Sequence, residues 1–192
     1  MNSRLFSTPA LLALALAASS HGLFAAGMTA FDLVKEGDKV VPLEAKGKIT
    51  QIRSEKSAGS LMPEVWHVDY YDPTAAFKAM EVTFIAGKVT EITRPKHFLD
   101  AFSGNKQMEH RKLKTNSDRA LAIALKEPAL KGLHLRAAQF LLERSGTGPL
   151  WTLQFWAARK GDPAQTIPVG DLTISCLTGQ IIKTRLHTQN AE

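Results

Sequence analysis

The sequence predicts an α+β protein made of two units, each an antiparallel β-sheet with helical cover. One observation behind this is a pattern that occurs twice. Trp66-His67-Val68-Asp69-Tyr70-Tyr71 precedes Val82-Thr83-Phe84-Ile85-Ala86-Gly87-Lys88-Val89, and Trp151-Thr152-Leu153-Gln154-Phe155-Trp156 precedes Ile174-Ser175-Cys176-Leu177-Thr178-Gly179-Gln180-Ile181. Each copy is an alternating strand opened by Trp, then a second alternating strand and a hairpin turned at Gly, so one small β-rich unit is written twice. The next observation is a capped run of helix formers, Asn116 to Lys126, ahead of the second copy. Finally, Cys176 is the only cysteine, which excludes an intramolecular disulfide and leaves stability to a packed core.

Residues 1–27 read as a secretory signal peptide. Arg4 is their only charged side chain, Leu11 to Ala18 is an unbroken apolar run, and small residues follow, with cleavage expected between Ser20 and Gly27. That run is too short to cross a bilayer of about 30 Å at about 1.5 Å per helical residue. A short membrane anchor is the alternative, but no longer apolar span follows. The expected location is therefore periplasmic or secreted, with no stable membrane span after cleavage. The formal net charge of +6 loses only the charge of Arg4, and the remaining cations are spread through both halves, so nucleic acid is not an expected partner.

The N-terminal unit is placed at 28–95. Ala30 to Val34 offers a turn or two of helix before Gly37, and Lys48 to Arg53 is a weakly alternating strand. In the strand Val65 to Tyr71, Trp66, Val68 and Tyr70 share one face while His67, Asp69 and Tyr71 share the other. Met80, Val82 and Phe84 form the next inward row, Ala86-Gly87 turns the chain, and Val89 and Ile92 continue to Pro95. Residues 96–116 are the candidate linker, with a short amphipathic piece at His97 to Phe102 and a polar, basic run from Asn105 to Lys114 expected in solvent.

The C-terminal unit is placed at 117–192. Its helix is capped by Asn116, Ser117 or Asp118 and stopped by Pro128, with Leu121, Ala124 and Leu125 on one face. Lys131 to Arg144 reads as a strand with a bulge near Ala138, a second helix being the alternative. Leu150 to Ala158, Thr166 to Cys176 and Gly179 to His187 supply three more strands, the last two joined at Leu177-Thr178-Gly179.

The stretch from about Ser117 to Leu186 resembles the PepSY domain. Ser117-Asp118-Arg119-Ala120-Leu121 stands in place of that family's helix start, and Leu172 to Ile181 in place of its closing hairpin. The first unit matches only through its Trp strand and the Gly87 hairpin, without a comparable helix. The resemblance implies an exported or membrane-associated protein without catalytic residues, and a role in restraining peptidases.

Chemistry-bearing residues are few. His67 and Asp69 share a strand face, as a metal site or a small hydrolase would require, yet the corresponding positions of the second copy are Thr152 and Gln154, and the histidines at 97, 110, 134 and 187 show no ligand spacing. Cys176 aligns with the inward Phe84, so a buried, inert thiol is expected. Ser145 to Gly148 lacks the Lys and helix of a phosphate loop and reads as a turn. No catalytic, cofactor-binding or metal-ligating set is expected, and no cofactor.

Trp66, Trp151, Tyr70 and Phe155 are assigned to the core. Tyr71 and Trp156 fall on the outer phase, where they either meet a helix or the other unit or form an exposed aromatic patch for a partner. Lys183, Thr184 and Arg185 lie on the last strand, a candidate edge for adding a peptide strand. The alternative is an edge covered by the other unit or blunted by Lys183 and Arg185. The expected function is a non-enzymatic binding or regulatory module acting on a protein or peptide partner in the cell envelope. A carrier of an apolar ligand between the sheets, and a hydrolase using His67 and Asp69, are the alternatives.

Overall fold

The structure, a computed structural model, describes residues 28–94 and 106–192. The expected signal peptide at 1–27 and the His97 to Phe102 piece lie outside the described residues. The elements are α1 (Ala30–Val40), β1 (Lys48–Ser54), β2 (Val65–Tyr71), β3 (Ala79–Ile85), β4 (Lys88–Thr93), β5 (Met108–Glu109), α2 (Ser117–Ala124), β6 (Leu135–Ser145), β7 (Gly148–Arg159), β8 (Asp162–Ser175) and β9 (Ile181–Leu186). The strands form one open antiparallel sheet of nine, ordered β4-β3-β2-β1-β6-β7-β8-β9, with β5 also paired to β1.

One sheet replaces the expected sheet for each unit. The seam pairs Gln51 with Glu143, Ile52 with Leu142 and Arg53 with Leu141. Two strands that would each end a small sheet thereby satisfy one another's backbone groups and remove two exposed edges. Serine side chains carry the seam further: Ser54 Oγ accepts from Phe140 N at 2.9 Å and Ser57 Oγ from Ala138 N at 2.8 Å, while Ser57 N donates to Ala138 O. Both serines are buried, so each replaces a ladder bond where the two strands diverge.

Both helices pack on the same face of the sheet, over one continuous core. Trp66, Val68 and Tyr70 point into it, as do Met80, Val82 and Phe84, following the alternation. Phe140 stands between the two repeated tryptophans, its ring centroid 5.5 Å from Trp66 and 6.2 Å from Trp151. Each indole finds a carbonyl, Trp66 donating to Pro63 O at 2.9 Å and Trp151 to Thr115 O at 2.8 Å, so burial leaves no N–H unpaired.

Helix α1 runs to Val40, past the Gly37 at which the sequence suggested a stop. Gly37 is used for contact: a Cβ there would lie 2.2 Å from Tyr70 Oη, which donates to Val34 O at 3.1 Å. The N-termini of the two helices interlock. Asn116 Oδ1 accepts from Phe31 N, Ser117 Oγ from Ala30 N, and Asn116 Nδ2 donates to Thr29 Oγ1, so residues that cap α2 also satisfy the first turn of α1.

Lys131 to Arg144 does contain a bulged strand, with the register skipping at Arg136 rather than near Ala138. Ala138 keeps its pairing with Phe155 and is engaged through both backbone groups by Ser57 on the other side, and the exposed Arg136 is the unpaired residue. The basic run before α2 is not simply solvated. Met108 is buried and pairs with Ile49 through β5, and a 3-10 turn at His110–Lys112 leads to the buried Leu113. The tail after β9 also packs: Ala191 bridges to Arg159 and is buried. Among the described residues no helix is long and apolar enough to cross a membrane.

Candidate functional site

The residues singled out from the sequence separate into distinct places. Tyr71 ends β2 opposite Ala79, and Trp156 lies on β7 opposite Ala137. Both are half-buried on the face that carries no helix, but the registers place them at opposite ends of the sheet, so they make no common aromatic patch. Trp156 is covered by Lys56, whose Nζ stands 4.5 Å from the ring centroid.

Lys183, Thr184 and Arg185 do sit together, on β9 at one end of the strand order. The other half of the chain joins at β1 and β6, so it does not cover this edge. Ile181 to Arg185 are all exposed, Ile182 at 53%. His187 N donates to Val169 O at 2.8 Å, and the register runs unbroken from Leu186 to Lys183. Antiparallel pairs alternate between bonded and non-bonded, so Arg185 and Lys183 direct their backbone groups at β8, while Thr184 and Leu186 direct theirs outward. Among the described residues nothing bonds to that outer side. Ile182 is the extra residue of a bulge, since Thr173 pairs with Lys183 and Ile174 with Ile181. Arg185 is held by Asp171 through Nε and Nη2, whereas Lys183, opposite Thr173, forms no ion pair among the described residues.

His67 and Asp69 belong to a charged cluster on the helix-free face that sequence reasoning only half found. Arg53 of β1 bonds Glu81 of β3 and lies 3.8 Å from Asp69 Oδ2. His67 Nδ1 is 3.2 Å from both Glu81 Oε1 and Thr83 Oγ1, and Glu55 Oε1 is 3.4 Å from His67 Nε2 without hydrogen-bond geometry. Asp69 is 2% exposed, and its Oδ1 has no hydrogen-bond partner. Burial, added to the charge of Glu81 directly across the ladder, outweighs Arg53 and raises the Asp69 carboxyl far above the ordinary carboxylate range. No hydrogen bond joins His67 to Asp69, so an acid–base dyad is not assembled. Arg53 and Glu81 carried the right alternation phase in the sequence, but only strand register shows that they meet there.

Beside the cluster, Gln51, Arg53, Gln139, Leu141, Thr152 and Gln154 line an open groove of about 370 Å³ across the seam. Asp72 is buried at the end of β2. Burial works to raise its carboxyl, but hydrogen bonds from Thr74 and the Arg94 guanidinium prevail and hold it below its ordinary value. Cys176 is buried, its Sγ 3.3 Å from Thr115 O, and burial pushes the thiol up to about 11. No group of three His, Cys, Asp or Glu among the described residues is arranged to hold a metal ion. The described residues form one sheet, so a cavity between two sheets has no counterpart among them. Compared with known proteins, the chain matches no family model, no curated protein and no solved structure.

Proposed function

We propose that this chain is an exported, non-enzymatic binding and regulatory module that takes an extended segment of a protein or peptide partner onto the outer edge of β9. The observation that carries the reading is the edge itself: an exposed strand paired on one side among the described residues, with the backbone groups of Thr184 and Leu186 aimed outward. An added strand would draw affinity from main-chain bonds and selectivity from alternate side chains. The leader-like pattern of residues 1–27 supports a periplasmic or secreted site of action.

A helix precedes the strand set β1–β4 and another precedes β6–β9, an order that supports reading the chain as two PepSY-like units. On that reading the partner is a protein of the cell envelope, with a restrained peptidase as the leading class. The test uses Thr184→Pro in the full chain, because the Thr184 N–H is not needed by β8 and Pro removes only an outward donor. An envelope protein retained by the wild-type chain should be lost by the variant, with the thermal transition nearly unchanged. Equal retention by both would sink the reading.

A further inference from the structure

We infer that the segment taken up by β9 alternates acidic and branched apolar residues, the acids on the helix-free face and the apolar side chains on the helix side. This rests on the edge-docking reading above and adds the chemistry of the partner. On the helix-free face β9 presents Lys183 and Arg185, across from Thr173 and Asp171. Asp171 already answers Arg185, so Lys183 offers an exposed ammonium with no carboxylate among the described residues. A residue directly opposite in a new strand would lie about 4.5–5.5 Å away between Cβ atoms, where opposite charges attract and like charges repel.

The other face differs. Ile181 and Thr184 share the side of the buried Ile174 and Leu172. Between β9 and the C-terminal end of α2 runs an open groove lined by Ile123, Lys126, Glu127, Gly179, Gln180 and Ile181. Ile123 and Ile181 supply its apolar lining, and the neighbouring Lys126 and Glu127 carry opposite charges, so an apolar side chain from the added strand gains contact there. Each face thus asks for a different residue type, and strand alternation delivers the two in turn.

The same features disfavour a second copy of this chain as the occupant. Antiparallel pairing of two β9 strands centred on Thr184 would put Lys183 opposite Arg185 of the other copy, twice over.

The experiment measures binding of fluorescent, end-capped octapeptides to the purified full chain by polarization. One peptide alternates Glu and Val, a second Lys and Val, a third Glu and Ser. The Glu/Val peptide should bind at least about tenfold more tightly than either control, a preference over Lys/Val that shrinks in high salt. Lys183→Glu should invert the order of the first two, and Thr184→Pro should weaken all three. Equal binding of the three peptides, or an unchanged order in Lys183→Glu, overturns the inference while leaving docking at the edge in place if Thr184→Pro still weakens binding. Binding indifferent to Thr184→Pro overturns docking at β9 and the inference with it.

Discussion

Replacing Asp69 by Asn should stabilise this protein at neutral pH and leave it unchanged in acid. The carboxyl is 2% exposed, one of its oxygens is unpartnered, the other stands 3.8 Å from Arg53, and Glu81 lies directly across the ladder. Burial leads the causes that raise its pKa to about 8. The unfolded value is about 3.9, so the folded state binds an extra proton between those limits, and stability falls as pH rises through that window. One pKa unit corresponds to about 1.36 kcal/mol, so taking up that proton on folding costs about 4 kcal/mol at pH 7 as an upper bound. Asn has no such proton to take up, and the attraction of Arg53 is already contained in the net shift, so the expected gain at pH 7 is at most about 4 kcal/mol. Urea denaturation of both proteins from pH 4 to pH 8.5 is the assay. The difference in midpoint should be near zero at pH 4 and grow with pH. A variant less stable than wild type at pH 8, or a difference that does not vary with pH, would mean that Asp69 is a paired carboxylate, and the argument from burial would fail.

Two glycines give further tests. Gly170→Ala places a Cβ 1.9 Å from the Arg185 carbonyl oxygen at a φ of +108°, so β9 must move away; a loss of at least about 2 kcal/mol is expected in thermal unfolding, with faster hydrogen exchange along β8 and β9. Gly37→Ala should destabilise by about 1 to 2 kcal/mol although Ala is the better helix former, because of the contact with Tyr70 Oη; adding Tyr70→Phe should recover much of that loss, and no recovery would refute the contact.

The sequence by itself determined the local structure of this protein. The alternation of Trp66, Val68 and Tyr70 and of Trp151, Leu153 and Phe155 assigned inward faces that are buried, because side-chain direction in a strand follows from the backbone alone. The cap of α2 and the turn at Ala86-Gly87 were legible for the same reason: their signals lie within a few residues of each other. Gly37 misled because a helical glycine is locally unfavourable, and its reason, the Tyr70 hydroxyl, lies on another element.

Only the tertiary structure decided that β1 and β6 close one sheet, that Ser54 and Ser57 complete that seam, and that Arg53 and Glu81 join His67 and Asp69. It also decided that β9 stands at an edge. Backbone N–H and C=O groups are the same at every residue, so the pattern along a strand states which way its side chains point and not which strand lies beside it. Choosing the neighbour takes the whole set of edges, cores and caps satisfied at once.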